Sequence, residues 1–268
     1  MIKKDNFFLL TFDLEEFDLP LEYNIKIDEK DIYEISYKGA IKIIEILNKY
    51  DICATFFVTG KFALKFPDII KTIYEKGHEI GSHSYSHSDN YLSKNNPKNN
   101  IEEGKKILEK IIKNKIIGFR SPRLQKPPYK ILRELKFEYD NSLHPTYIPG
   151  RYNNILSKRN LFFHNNIFEI PISVTPLTRF PFSWLWFRNF GVRYARVCTD
   201  LCLYNPGFVN TYFHPWEFID IKKYNLHYFL CFRTGKWMEK KFQDYLKWCL
   251  NKKIRFCTVK DYILHIKN

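Results

Sequence analysis

The hydrophobic positions fall into short, nearly unbroken runs separated by stretches with helical spacing. Phe7-Phe8-Leu9-Leu10-Thr11-Phe12-Asp13 is the first run, and an apolar stretch of that length fits a strand buried on both faces. Cys53 to Thr59, His78 to about Ser82, Ile116 to Phe119, Phe162-Phe163, Ile167 to Pro171, Phe208 to Phe213 and Ile254 to Val259 read as further strands. Between them, Ala40, Ile43, Ile44 and Leu47 mark one face of a helix from Tyr33 to Tyr50. Helices are also predicted from about Lys61 to Lys76, after Asn96-Pro97 to about Lys113, from about Tyr129 to Lys136, and from Trp237 to Leu250, with a short terminal helix. Strands alternating with helices predict a parallel sheet with crossover helices, and seven or eight strands are enough for a barrel. In such a barrel functional residues gather at the C-terminal ends of strands.

Composition adjusts this picture in a few places. A chain of 268 residues with 45% hydrophobic residues can bury a large core, and no linker-like segment divides it, so one domain over residues 1–268 is expected. Only four apolar residues lie between the polar start and Thr11, too few for a signal-peptide core, and no run has the length of a membrane span. The six cysteines have no CxxC pair and read as reduced core thiols. Together these point to a cytoplasmic protein. The net charge of +14 suggests an anionic partner, such as a phosphate-bearing substrate or a membrane face, and equally suits solubility in a lysine-rich chain. The lysines are dispersed and no nucleic-acid motif accompanies them, so nucleic acid is not expected. From Pro181 to Tyr204, tryptophans and phenylalanines stand beside arginines, a composition that suits peripheral membrane contact as well as a barrel helix.

The candidate chemistry lies at strand ends. Gly77-His78-Glu79-Ile80-Gly81-Ser82-His83-Ser84-Tyr85-Ser86-His87 runs a strand into a turn carrying two histidines four apart, which could ligate one divalent metal or be two surface residues. Strand alternation puts Asp13 and Glu15 on one side and Leu14 on the other. Arg120, at another strand end, could pair with a buried carboxylate. Glu169 alternates with Phe168 and Ile170, as an interior or edge-strand residue would. His214 follows a strand and is fixed by Pro215 and Trp216, a placement that suits an acid. Pro145 to Tyr152 is a turn-rich loop that could wall a pocket. His78, His144, His164, His227 and His265 show no partner pattern and read as structural.

In order and spacing, Thr11-Phe12-Asp13, His83-Ser84-Tyr85-Ser86-His87, Arg120-Ser121-Pro122 and His214 resemble the motifs of the polysaccharide deacetylase family, also called the NodB homology domain or carbohydrate esterase family 4. The resemblance implies a distorted (β/α)7–8 barrel and metal-dependent removal of an N-acyl group, usually N-acetyl, from an amino sugar. It implies Asp13 as general base, His83 and His87 as metal ligands, Arg120 as the residue orienting the base and His214 as general acid. A backbone N–H near Ser121 to Arg123 would help hold the oxyanion. The expected cofactor is one divalent ion, zinc first, with iron, cobalt, nickel or manganese as alternatives.

The chain departs from the family pattern at three places. Leu14 stands where a second aspartate is usual, which makes Glu15 the expected third ligand and Glu16 the fallback. Arg123 follows Pro122 where an aromatic residue is common. His214 lies in a His-Pro-Trp-Glu context, and Glu169 stands for an upstream aspartate; both resemble an intracellular branch. Pro122, Arg123, Glu169 and Trp216 are therefore expected around the substrate. That substrate would be an acylated amino sugar, carried on a lipid phosphate at the inner membrane face in one version. Hydrolysis of a cyclic amide or ureide, and a sugar-binding module without catalysis, are the other readings.

Overall fold

The computed structural model describes residues 6–87 and 97–267. Met1 to Asp5 and Asn96, which entered the expectations above, lie outside the described residues. The strands are β1 (Phe7–Leu14), β2 (Thr55–Val58), β3 (Glu79–Ser82), β4 (Gly118–Phe119), β5 (Tyr139–Asp140), β6 (Tyr147–Ile148), β7 (Tyr152–Asn153), β8 (Phe162–His164), β9 (Ile167–Glu169), β10 (Phe208–Phe213) and β11 (Arg255–Cys257). The helices are α1 (Leu19–Glu22), α2 (Glu29–Lys49), α3 (Gly60–Lys65), α4 (Pro67–Glu75), α5 (Pro97–Ile112), α6 (Tyr129–Glu134), α7 (Trp184–Tyr204), α8 (Tyr228–Cys231), α9 (Lys236–Asn251) and α10 (Val259–Lys267).

Eight of these strands run parallel in a curled sheet. Its path is β10-β1-β2-β3-β4-β5-β9, with β8 antiparallel outside β9 and β11 beside β1. One edge of β1 bonds β10 over Phe7 to Phe12; the other bonds β11 over Phe7 to Leu9 and β2 over Thr11 to Leu14. β11 is thus wedged into the lower half of the seam between β1 and β2. Among the described residues no regular ladder closes the curve past β9. Instead Ser173 N–H donates to Asn210 O at 2.7 Å, and the Asn210 side-chain amide donates to the carbonyls of Ile170 and Pro171. The result is a distorted (β/α) barrel.

Alternation along β1 divides its side chains between two environments. Phe8, Leu10, Phe12 and Leu14 point outward into the layer between sheet and helices, with Phe56, Phe213, Phe242 and Tyr245. Phe7 and Leu9 fill the lower barrel with Phe57, Tyr139, Phe208 and Tyr262. The remaining members of that series, Thr11 and Asp13, are buried polar residues above this apolar floor. Side-chain alternation therefore delivers Asp13 to the mouth of the barrel.

The predicted helix from Lys61 to Lys76 is two helices, α3 and α4, meeting at Phe66-Pro67. A residue before proline is driven out of the helical region, and Phe66 has ψ 60°. Among the described residues no helix is long and apolar enough to cross a membrane.

His78 is buried against Phe56, and its Nδ1 accepts the Ala54 N–H at 3.3 Å. Burial, then nearby Lys76, holds its pKa down to about 4. The unfolded chain takes up this proton first as pH falls, at about pH 6.5, so the stabilisation is complete above that value and is lost toward pH 4. Between pH 7 and 5 urea unfolding is expected to weaken by about 1–2 kcal/mol from this residue. His78→Gln should lose less over that interval; an equal loss in both proteins would remove His78 as the cause.

Candidate metal centre and active site

The mouth of the barrel holds a cleft of about 250 Å³ lined by Asp13, Glu15, His83, His87, Arg123, Trp184, His214 and Trp216, among others. β1 supplies Asp13 and leads into Glu15, the turn after β3 supplies the two histidines, Arg120 follows β4, and His214 follows β10. Gly104 on α5 allows that helix to touch the histidine turn: a Cβ there would lie 2.3 Å from Ser84 O.

Three ligand atoms converge. Glu15 Oε2 lies 3.2 Å from His83 Nε2 and 3.2 Å from His87 Nε2. Ligands about 2.0–2.1 Å from a divalent ion stand roughly 3.0 Å apart at right angles and 3.4 Å apart in a tetrahedron, so this spacing fits one ion. The two imidazoles are already turned for it. His83 Nδ1 donates to Arg120 O at 2.8 Å, and His87 Nδ1 faces Asp18 Oδ1 at 3.1 Å, which leaves both Nε2 lone pairs directed at Glu15. Glu15 Oε2 is buried without a hydrogen-bond donor among the described residues, as expected of an atom that meets a cation.

The local field agrees with that placement. Burial alone would raise the Glu15 carboxyl, but the imidazoles of His87, His83 and His214 hold it down to about 2. Burial also opposes charge on His87, yet Glu15 and Asp18 lift its pKa to about 9. Positive charge is favoured at this point. Glu16 turns away, accepting from Thr59 Oγ1 at 2.8 Å.

Beside the three candidate ligands stands Asp13, whose Oδ1 accepts from Arg120 Nη1 at 2.5 Å. Arg120 is fully buried, and its other N–H groups reach Thr11 Oγ1 and both oxygens of Asn141. Phe57 lies 4.3 Å from its guanidinium carbon. A buried arginine so fully engaged fixes one carboxylate oxygen and leaves Asp13 Oδ2 toward the cleft.

His214 closes the opposite side. Its Nε2 is 4.0 Å from Asp13 Oδ2 and 3.7 Å from Glu15 Oε1. Trp216 stacks on the ring and Trp184 meets it edge-on, both at 4.9 Å. Behind it Glu217 Oε1 accepts the His214 N–H at 2.7 Å and lies 3.4 Å from Nδ1, while Arg188 Nε donates to Glu217 Oε2 at 2.7 Å. Burial would lower the His214 pKa; Glu217, then Glu15, raises it above the ordinary value.

Trp216 and Arg123 line the cleft, and Arg123 Nη1 pairs with Glu22 Oε1 at 2.6 Å. Pro122 is buried in the turn that carries Arg123. The Ser121 N–H is engaged by Ser142 Oγ at 2.9 Å. Glu169 is buried beside Asp140 with Lys126 and Tyr129, where Tyr129 Oη donates to it at 2.8 Å; it is absent from the cleft lining. Burial, then Asp140, raises its pKa to about 8. The loop containing β6 and β7 does wall the cleft, through Ile148, Arg151 and Tyr152.

His144, expected to be structural, also lines the cleft, with Nδ1 2.8 Å from Tyr152 Oη and Nε2 unbonded. Asp18, Glu217 and Arg188 were not singled out from sequence. Glu217 had a signal in its position three residues after His214 in a proline turn; Arg188 had none, because its contacts come from distant segments.

Residues 31–140 match the family model for polysaccharide deacetylase, a span that contains His83, His87 and Arg120. The chain is 37% identical over 101 residues to a peptidoglycan-N-acetylglucosamine deacetylase of Bacillus cereus, covering 37% of this chain and 34% of that protein. It is 42% identical over 57 residues to the peptidoglycan-N-acetylmuramic acid deacetylase PdaA of Bacillus subtilis, covering 21% of each. The matched segments thus span about a third of the first relative and about a fifth of the second. The fold is shared along nearly the whole chain with a crystal structure described as a candidate polysaccharide deacetylase from Mycobacterium smegmatis: TM-score 0.69, 17% identity, 98% of this chain and 91% of that one. The family match over residues 31–140, the related segments and this shared fold together make the chain similar to the polysaccharide deacetylases.

Proposed function

We propose that this protein is a metal-dependent hydrolase that removes an N-acyl group, N-acetyl first, from an amino sugar in a glycan. The observation that carries the reading is the convergence of Glu15, His83 and His87 on one point, with Asp13 on one side and His214 on the other. The relatives named as peptidoglycan deacetylases support an amino-sugar substrate. The positive charge suits a phosphate-bearing form of that sugar, and a lipid-linked form would bring the protein to a membrane face.

Glu15, His83 and His87 would hold one divalent ion, zinc first, and when bound it would supply Lewis acidity to the amide carbonyl and to a neighbouring water. Asp13, fixed through Oδ1, takes the proton of the attacking water at Oδ2. His214, its ring clamped between tryptophans and charged from behind by Glu217, gives a proton to the leaving amine. The products are acetate and the free amino sugar. Trp184, Trp216 and Tyr212 supply apolar faces for the sugar ring.

Acetate release from N-acetylglucosamine oligomers and peptidoglycan fragments tests this reading. Activity should disappear with a chelator and return on adding zinc, cobalt or another divalent ion. No acetate from any amino-sugar substrate in the metal-supplemented protein would overturn it, and ring-opened ureido acids from cyclic ureides would favour the alternative chemistry.

A further inference from the structure

One side of the molecule, next to the cleft, combines exposed apolar residues with a strong excess of positive charge. α7 breaks at Gly191, where φ is +80°, and its first part lines the cleft through Trp184 and Trp186. Trp186 stacks on Phe190 at 5.7 Å, and Phe180 meets both at 4.9 and 6.0 Å. Beyond the break Val197, Leu201 and Tyr204 continue an exposed stripe at helical spacing. Two neighbouring turns present bare leucines: Leu177 is 99% exposed and Leu156 95% exposed. Hydrogen bonds join these parts, from Arg179 Nη1 to Ser157 O and from Arg159 to Val174 O and Asn205 O.

The charge on this face is one-sided. From Pro145 to Tyr204 the sequence has seven basic residues and two acidic ones. Arg188 and Glu169 are buried and Arg151 pairs with Glu22 at 3.1 Å, which leaves five basic residues against Asp200, itself paired with Lys252 at 2.6 Å. An aqueous polyanion would be met by the charges alone. Fully exposed leucines at two turn tips, beside an aromatic stripe that leads to the cleft, suit an acyl boundary as well.

We propose that this face docks on an anionic lipid bilayer, with Leu156 and Leu177 entering the headgroup boundary and the basic residues meeting anionic headgroups. Docking in this way sets the cleft beside the membrane, where a lipid-anchored sugar would reach it. It deepens the substrate reading above but needs no turnover.

The test is co-sedimentation with phosphatidylcholine vesicles with and without phosphatidylglycerol, at low and high salt. Binding is expected only with phosphatidylglycerol, weakening as salt rises. Leu156→Glu/Leu177→Glu should weaken it about tenfold by removing apolar insertion and adding negative charge, and Lys158→Ser/Arg193→Ser should reduce the salt dependence. Absence of binding to anionic vesicles by the well-folded parent overturns the proposal. So does binding to dextran sulfate and vesicles alike that the leucine variants leave unchanged, which would assign the face to an anionic glycan. Acetate release measured on soluble substrate keeps the deacetylase reading separate: its loss would not accompany failure to bind vesicles.

Discussion

Asp13→Asn is expected to lower kcat by about 10²–10⁴-fold, the range for loss of a positioned general base, while the metal content stays as in the parent. Asparagine keeps the shape and can still accept from Arg120 through its carbonyl oxygen, so Arg120 retains a partner at 2.5 Å. What is lost is the second carboxylate oxygen, the one facing the cleft. Steady-state kinetics with metal analysis on the same preparation reads both quantities. A variant with near-parental kcat would remove Asp13 from the role of base. A fall in metal content alongside kcat would show that Asp13 acts through the metal centre instead.

The second large effect is on the ligands. About one divalent ion per chain is expected in the parent, and Glu15→Gln and His87→Ala should each lose most of it together with activity. Glu16→Gln is the comparison, because Glu16 bonds Thr59 and lies outside the three-ligand cluster. Asp18→Asn should weaken affinity by about 10–100-fold, since Asp18 sets the His87 ring through Nδ1. Metal retained by Glu15→Gln but lost by Glu16→Gln would reverse the assignment.

Much of this centre could be read from the sequence because local rules govern it. Alternation along a strand puts Leu14 into the outer layer and Asp13 toward the mouth, with Glu15 beyond it, and the His-Ser-Tyr-Ser-His turn holds its histidines at short range. The long apolar strands β1 and β10 were visible as continuous buried runs. What escaped depends on residues far apart in sequence. Arg188 reaches Glu217 from another segment, and Asp18 meets His87 across the mouth. His144 shows no motif, and its place in the cleft is set by the fold of the loop around β6 and β7. Glu169 was legible as a strand residue, but alternation gives only the side of the sheet, not the height in the barrel. The broken helix at Phe66-Pro67 is a local signal that helical periodicity on either side concealed.

The position of β1 has a consequence for how the protein is made. Its upper residues pair with β2 early in the chain, but its other neighbour is β10, about two hundred residues later, and β11 comes later still. During synthesis this strand therefore leaves the ribosome long before β10 and β11, with a wholly apolar outer face and one edge unpaired. Contacts so distant in sequence make folding slow, and the nascent chain needs shielding over that interval. The proposed base and acid share that delay, because Asp13 cannot meet His214 until β10 has taken its place.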